Sequence, residues 1–248
     1  MLSDLFIKSI SVNFDNIPKN NYLYKIPMLK NFYKTNPLAF NKKVTFIVGE
    51  NGTGKSTLLE AIAVKCGFNA EGGTKNFYFS TFSSHSDLHK FITLTKGYKN
   101  PTDGFFLRAE SFYNVASQIE NLNAPGRPPL NTFYGGNLHE KSHGESFLSL
   151  MINRFQGNGL YILDEPEAAL SPSRLLSMLS IIDDLVKTNS QFIIATHSPI
   201  LMAYPDADIY LIEDENIKAV KYKETSHYII TKDFINNPEK MLKHLLNN

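Results

Sequence analysis

Residues 49–56 have the types and the spacing needed to bind phosphate groups. They read Gly-Glu-Asn-Gly-Thr-Gly-Lys-Ser and match the pattern G-x-x-x-x-G-K-[ST]. Glycines let backbone N–H groups turn toward phosphate oxygens, the lysine reaches the outer phosphates, and the serine hydroxyl holds Mg²⁺. A chance glycine-rich turn is the weaker interpretation, because a strand pattern precedes the segment and a helix pattern follows it. The sequence therefore predicts a site for a nucleoside triphosphate and Mg²⁺, formed by Gly49, Asn51, Gly52, Thr53, Gly54, Lys55, Ser56 and Thr57.

Two adjacent carboxylates, Asp164 and Glu165, follow the apolar run 160–163. Asp164 is predicted to hold Mg²⁺, directly or through water, as the acidic residue at such a strand end does in phosphate-loop enzymes. Glu165 is predicted to act as a general base toward the attacking water. Taken alone, the pair would be better explained as a solvated acidic turn. The phosphate-binding pattern earlier in the chain favours the functional interpretation.

A histidine, His197, stands two residues after the apolar run 192–195. Because the carboxyl ends of parallel strands share one edge of a sheet, this side chain could face the nucleotide there and sense or stabilise the γ-phosphate. A lone histidine at such a position is more often a structural residue. The order of the motifs along the chain favours the functional interpretation.

The segment Ser142-His143-Gly144-Glu145 precedes a run with helical spacing. Ser142 is predicted to cap this helix, and Glu145 three residues later completes a capping box. A well-capped helix is a sufficient explanation of these residues. The functional alternative is a helix N-terminus presented to an anion.

The elements that must position these residues are apolar strands alternating with helices. The run 44–48 is predicted to be a strand and 57–64 a helix, directly before and after the glycine-rich segment. Alternation of this kind predicts an α/β fold with a mostly parallel sheet covered on both faces. Other predicted elements are strands at 5–12, 160–163 and 192–195, helices at 110–122, 146–155, 172–186 and 237–246, and a hairpin-like strand pair at 209–212 and 219–222.

Composition restricts the remaining function classes. The chain has 248 residues, enough for one domain, and a formal net charge of +1, which gives no overall basic footprint for nucleic acid. Its single cysteine, Cys66, excludes an internal disulfide and a cysteine zinc cluster. No apolar run is long enough to span a bilayer and no signal-peptide pattern is present. We therefore expect a cytoplasmic protein without direct membrane insertion.

In their order and spacing, the four motifs resemble those of the ATP-binding-cassette (ABC) ATPases. Residues 49–56 are similar to Walker A, 142–145 to the signature motif, and 164–165 to Walker B with its catalytic glutamate. Residues 169–171 stand where the family has its D-loop, and His197 is similar to the switch histidine. The resemblance implies that Glu165 and His197 are catalytic and that the ligands are ATP and Mg²⁺.

The same resemblance implies the architecture. We expect a P-loop fold with a mostly parallel sheet flanked by helices, an antiparallel β subdomain and a small helical signature subdomain. One ABC-type domain would cover 1–248. It would comprise an N-terminal β and Walker A lobe at 1–110, a helical signature segment at 111–157, and the Walker B, switch and C-terminal segment at 158–248.

Several residues depart from the usual pattern of transporter cassettes. His143 and Glu145 replace a glycine and the glutamine of the signature, and no glutamine occupies the expected Q-loop position. Arg108, Ala109 and Glu110 are found there instead, and Glu110 could coordinate Mg²⁺ in place of the glutamine. These departures resemble the RecF-like and SMC-like soluble ATPases and the stand-alone predicted ATPases of bacterial defence operons.

The resemblance also implies a mode of action. Two copies would enclose two ATP molecules head to tail, with Ser142 and Gly144 of one copy facing the phosphate site of the other. ATP-driven dimerisation would then gate a protein effector or a DNA partner, in DNA repair and maintenance or in phage defence. Two alternatives stay open: the nucleotide-binding subunit of an ABC transporter, and an interaction module with negligible turnover.

Overall fold

A computed structural model describes residues 4–32, 37–75, 86–109, 112, 117, 136, 142–213 and 215–246. Nine β-strands occur in these ranges. They are β1 (Ile7–Val12), β2 (Leu38–Ala39), β3 (Val44–Gly49), β4 (Ile92–Lys96), β5 (Asp103–Arg108), β6 (Gly159–Asp164), β7 (Gln191–Ala195), β8 (Ala207–Glu213) and β9 (Asn216–Ala219).

The same ranges contain seven α-helices. They are α1 (Pro27–Phe32), α2 (Lys55–Lys65), α3 (His143–Arg154), α4 (Pro172–Lys187), α5 (Pro199–Met202), α6 (Ser226–Asn236) and α7 (Pro238–Leu245). None of these helices has both the length and the apolar character needed to cross a membrane. The helices predicted from the sequence overlap α2, α3, α4 and α7, whereas α1, α5 and α6 are additional helices. The predicted helix at 110–122 lies outside the described residues except for 112 and 117 and stays a prediction.

The main sheet has six strands in the order β5-β6-β7-β3-β8-β9. All neighbouring pairs are parallel except β8 and β9, which form an antiparallel hairpin. The expected mostly parallel α/β sheet is therefore confirmed. Because β3 and β6 lie inside this sheet, every residue of both strands is buried, which explains their continuous apolar sequences.

The predicted second strand of the hairpin, at 219–222, is wrong. The partner of β8 begins at Asn216, directly opposite Glu213. Glu215 has a left-handed φ of 63°, so the chain reverses immediately after β8. Residues 222–224 form a 3₁₀ turn instead.

A second, antiparallel sheet has the strand order β2-β1-β4, as expected for the antiparallel β subdomain. The buried side chain of Gln191 joins it to the main sheet. Its Oε1 accepts the backbone N–H groups of Phe6 and Ile7 at 2.8 and 3.0 Å, and its Nε2 donates to the Ile7 carbonyl at 2.9 Å. These three hydrogen bonds replace the bonds to water that the amide loses when it is buried.

Two apolar cores cover the faces of the main sheet. One contains Leu58 and Ile62 of α2 together with the buried side chains of the antiparallel sheet. The other contains Leu150 of α3 and Met178 and Ile182 of α4. The sheet is thus the middle layer, and its carboxyl edge is left free for the polar residues predicted from the sequence.

The second core carries one polar network, centred on the fully buried Tyr161. Its ring stacks on Phe155 with centroids 4.2 Å apart, and its hydroxyl lies 2.8 Å from Oδ2 of Asp103. The same hydroxyl oxygen lies 2.6 Å from both the carbonyl oxygen and the backbone nitrogen of Gln156. Burial raises the pKa of Tyr161, and the carboxylate of Asp103 raises it further, so the hydroxyl stays protonated.

Tyr161→Phe is expected to lower the free energy of unfolding by about 1–3 kcal/mol, because the Asp103 carboxylate and the Gln156 carbonyl both lose the hydroxyl as a hydrogen-bond partner. Urea unfolding followed by circular dichroism measures this change. Tyr22→Phe is the matched control, since the Tyr22 side chain is exposed and its change should stay below about 0.5 kcal/mol. Equal stabilities of the two variants would contradict the role given to the buried hydroxyl.

Candidate functional site

The glycine-rich loop connects β3 to α2 at the carboxyl edge of the main sheet. Gly54 has a φ of 102°, in the left-handed region that favours glycine. A Cβ atom at this position would lie 2.8 Å from Cγ2 of Ile26 and 3.0 Å from Cε of Met28. The loop therefore needs a glycine there for two reasons, backbone conformation and space.

The ammonium of Lys55 lies at the centre of this loop. Its Nζ donates to the carbonyl oxygens of Gly49 and Glu50 at 2.9 and 3.0 Å, and its side chain is only 3% exposed. Burial lowers the pKa of Lys55, while the carboxylates of Glu165 and Asp164 act in the opposite direction. A buried cation beside a turn of backbone N–H groups is an arrangement that attracts phosphate.

The other predicted loop residues lie on either side of Lys55 along the chain. Asn51 and Gly52 are exposed, and Thr57 is half-buried in the first turn of α2. The hydroxyl of Thr53 donates to the Glu50 carbonyl at 2.8 Å. All eight predicted loop residues thus belong to one continuous strand, loop and helix start.

Ser56 and Asp164 lie together although 108 positions separate them. The Ser56 hydroxyl donates to Oδ1 of Asp164 at 3.0 Å. Their oxygens are hard ligands of the kind that Mg²⁺ prefers, and Mg²⁺ is commonly held by one or two protein groups together with phosphates and water. The residues present therefore fit a Mg²⁺–nucleotide complex.

Arg108 and Glu60 complete the surroundings of Asp164. Arg108 ends β5 directly beside Asp164, with its Nε 3.4 Å from Oδ2 of that residue. Its Nη1 lies 2.9 Å from Oε2 of Glu60, whose other oxygen accepts the backbone N–H of Ser86 at 2.6 Å. This ion pair was not predicted from the sequence. The one available signal was a carboxylate on the apolar side of a helix, four residues after Ser56.

Glu110, the predicted additional Mg²⁺ ligand, lies outside the residues that the structure describes. Its assignment therefore remains a prediction from the sequence.

Glu165 stands at the edge of the sheet in an unusual backbone conformation. Its φ and ψ are 50° and 52°, a left-handed conformation that costs a non-glycine residue about 1–3 kcal/mol. Its backbone N–H donates to the Ala195 carbonyl at the end of β7 at 3.0 Å. Its Oε1 lies 4.0 Å from Nζ of Lys55, so this strained turn places the carboxylate beside the loop.

His197 approaches the same carboxylate from the segment after β7. Its Nε2 lies 3.3 Å from Oε1 of Glu165. Its backbone N–H donates to Oε1 of Glu167 at 2.5 Å. Burial raises the pKa of Glu167, and this hydrogen bond acts in the opposite direction. On its other side, Nδ1 of His197 lies 3.2 Å from Nε2 of His227 in α6, a contact that the sequence analysis missed.

Ser142 caps α3 and Gly144 lies in its first turn, while Ser142 and Glu145 form the predicted capping box. The backbone N–H of Glu145 donates to the Ser142 hydroxyl at 3.4 Å, and the Ser142 N–H donates to Oε2 of Glu145 at 3.0 Å. Arg174 of α4 donates to the same hydroxyl at 3.3 Å. A Cβ atom on the buried Gly144 would lie 2.6 Å from the Ala169 carbonyl oxygen. These contacts join the predicted signature to α4 and to the segment after Glu165, and none of them reaches the loop.

Two family models match the chain. Residues 28–122 match one described as "AAA domain", and residues 146–203 match one described as "AAA domain, putative AbiEii toxin, Type IV TA system". No curated protein is similar enough to this chain to be matched.

Solved structures with a similar fold include cbiO1 from Clostridium perfringens, titled as part of the ABC transporter complex cbiONQ. It is 18% identical, with 99% of this chain and all of that chain covered, at a TM-score of 0.48. The SMC head domain from Thermotoga maritima is also 18% identical, with 75% and 92% covered, at a TM-score of 0.41.

The two family matches contain all of the residues that meet at the sheet edge. The first includes the loop from Gly49 to Ser56, and the second includes Asp164, Glu165 and His197. The phosphate loop and the acidic strand end therefore both lie in segments that are similar to AAA domains.

Proposed function

We propose that this protein binds ATP with Mg²⁺ and hydrolyses it to ADP and phosphate. One observation carries the proposal: five polar side chains from two strand ends and one helix start converge at a single sheet edge. They are Lys55, Ser56, Asp164, Glu165 and His197. Such a set combines a cation that can bind phosphate, oxygen ligands suited to Mg²⁺, a base and a proton donor.

Each side chain has a distinct task in this reaction. ATP phosphates would take the place of the Gly49 and Glu50 carbonyls as partners of Lys55. Ser56 and Asp164 would hold Mg²⁺, which when bound neutralises the charge of the phosphates. His197 would donate its Nε2–H to an oxygen of the γ-phosphate.

Glu165 would act on the water molecule. Its carboxylate would accept a proton while the water oxygen forms a bond to the γ-phosphorus. The bond from that phosphorus to the bridging oxygen breaks, and ADP leaves with the electron pair. The strained conformation of Glu165 supports this role, because strain of this kind clusters at functional sites.

The direct test is phosphate release from ATP by the purified chain with Mg²⁺, with EDTA and the Glu165→Gln variant as backgrounds. We expect turnover that EDTA abolishes. Turnover no higher than in the Glu165→Gln variant would contradict the proposed hydrolysis. A chain that binds ATP without turnover would instead be the interaction module considered above.

We propose further that ATP joins two copies head to tail, with Ser142 and Gly144 of one copy facing the phosphates bound to the other. Ser142 is exposed at the N-terminus of α3, a twelve-residue helix whose first N–H groups can receive an anion. ATP would act as a ligand that binds the joined state better than the separate copies. A single domain covering 1–248, with the three segments given above, is part of the same proposal.

The dimer would gate a partner, either a protein effector or DNA, in DNA maintenance or phage defence. The toxin–antitoxin description of the second matched family supports a defence role. The net charge of +1 favours a protein effector over DNA, because phosphate contacts need lysine and arginine. A cytoplasmic location remains a prediction from the sequence.

Affinity purification of the Glu165→Gln variant with ATP and Mg²⁺ tests the partner. A soluble effector or DNA that is enriched over a Lys55→Ala control is the expected result. Enrichment of an integral membrane protein would indicate the transporter subunit instead.

A further inference from the structure

His197 has a neighbour that the proposed mechanism does not use. The rings of His197 and His227 lie side by side with centroids 5.4 Å apart and planes inclined by 52°. Nδ1 of His197 is 3.2 Å from Nε2 of His227, within hydrogen-bonding distance. His227 belongs to α6, which lies beyond the end of both family matches.

The first turn of α6 is firmly held, although no residue of this helix is fully buried. Thr225 caps it, with no exposed surface. The Thr225 hydroxyl donates to the Tyr222 carbonyl at 2.8 Å and accepts the Tyr228 N–H at 3.3 Å. The rings of Tyr222 and Tyr228 pack with centroids 4.7 Å apart. These contacts fix the turn that contains His227.

The hydrogen bond between the two imidazoles determines where His197 carries its proton. Only one proton can lie between Nδ1 of His197 and Nε2 of His227. If His227 donates it, a neutral His197 has its own proton on Nε2, facing Oε1 of Glu165 at 3.3 Å. The opposite arrangement would point the Nε2 lone pair at a carboxylate, so the Glu165 charge disfavours it.

The surroundings of His227 support its neutral form. Burial lowers the pKa of His227, and the nearby His197 and Lys55 lower it further, whereas Glu50 acts in the opposite direction. A neutral His227 with its proton on Nε2 is the donor that this hydrogen bond requires.

We propose that His227 is a positioning residue for ATP hydrolysis, which holds His197 in the tautomer with a proton on Nε2. This inference rests on the proposed function. His227 touches neither ATP nor the attacking water; it ensures that His197 presents an N–H to the γ-phosphate in every cycle. Hydrogen-bond partners of metal-binding histidines fix the tautomer of the ring in the same way.

The test compares His227→Phe and His227→Gln with the unchanged protein. Phenylalanine keeps the ring but removes the donor, so kcat should fall about 10–100-fold, as for other orienting partners of histidine, with little change in KM. Glutamine can still donate from its amide and should restore part of the loss. His244→Phe is the matched control, because His244 is exposed on α7 and should leave kcat unchanged.

Nitrogen-15 NMR of histidine-labelled protein provides a second readout, with His197 assigned by its loss in a His197→Gln variant. We expect His197 to have its proton on Nε2 in the unchanged protein and a mixture of tautomers in His227→Phe. An unchanged tautomer in His227→Phe, or a lower kcat that glutamine does not rescue, would overturn the inference. If the unchanged protein lacks ATPase activity, the proposed function fails, and the NMR result still decides whether His227 controls the proton on His197.

Discussion

Lys55→Ala is expected to weaken ATP binding by at least about 100-fold, because it removes a buried cation from the centre of the phosphate loop. Charge-assisted hydrogen bonds of an ammonium to phosphate oxygens are stronger than the bonds to Gly49 and Glu50 that they would replace. Isothermal titration with ATP and Mg²⁺ measures the change directly.

Lys65→Ala is the matched control for this prediction. Lys65 ends the same helix, is exposed, and donates to the His89 carbonyl at 3.3 Å. Its removal deletes one charge at the far end of α2 and should leave ATP affinity within about threefold, since exposed charges are screened by salt. Unchanged affinity in Lys55→Ala would show that residues 49–56 are not the nucleotide site.

The phosphate loop could be predicted from the sequence because its residue pattern is local. The glycines, Lys55 and Ser56 are neighbours in the chain, so one strand and one helix suffice to place them. The joining of Ser56 to Asp164 needed only the further rule that parallel strands end at the same edge. Hence the distant motifs could also be assigned to one site.

Contacts that depend on side-chain packing between distant elements were not predictable in this way. The pairing of Arg108 with Glu60 requires β5 to lie beside β6 and α2 to cover that edge. His227 lies in a helix that the sequence analysis did not include, because none of its residues is fully buried and its apolar pattern is weak. Nothing in the local sequence around His227 indicates that its ring meets His197.

The start of strand β9 could not be predicted accurately from the sequence. Its residues alternate weakly, and three of its four positions are exposed. The start of the strand is set by the left-handed residue Glu215, a conformation that glutamate rarely adopts. A pattern of apolar residues therefore placed the strand three residues too late.

Glu165→Gln is expected to bind ATP normally while hydrolysis falls by about 10²–10⁴-fold, the usual contribution of a general base. The amide has the shape of the carboxylate and can keep its oxygen beside Nε2 of His197, which lies 3.3 Å from Oε1 of Glu165, but it cannot take a proton from water. Phosphate release measures the loss, and titration with ATP shows that binding is retained.

Glu50→Gln is the matched control for Glu165→Gln. It shows how much of the loss in Glu165→Gln comes from removing a negative charge rather than from removing a base. Glu50 is exposed in the loop, and its carboxylate, like that of Glu165, acts against the burial that lowers the pKa of Lys55. The substitution therefore removes a charge of the same sign near the same ammonium. Its kcat should stay within about threefold of the unchanged protein, because an exposed charge is screened. Comparable losses in the two variants would contradict the assignment of Glu165 as the base.

The Glu165→Gln variant also decides whether two copies close around ATP. A protein that binds ATP but cannot hydrolyse it should accumulate in the state that ATP prefers, so light scattering should detect a dimer with ATP and Mg²⁺. The Lys55→Ala and Glu165→Gln double variant should remain monomeric, because it lacks the ligand that favours closure. A monomer in the Glu165→Gln sample at saturating ATP would contradict the head-to-tail arrangement and leave the hydrolytic site intact, since that site is assembled within one chain.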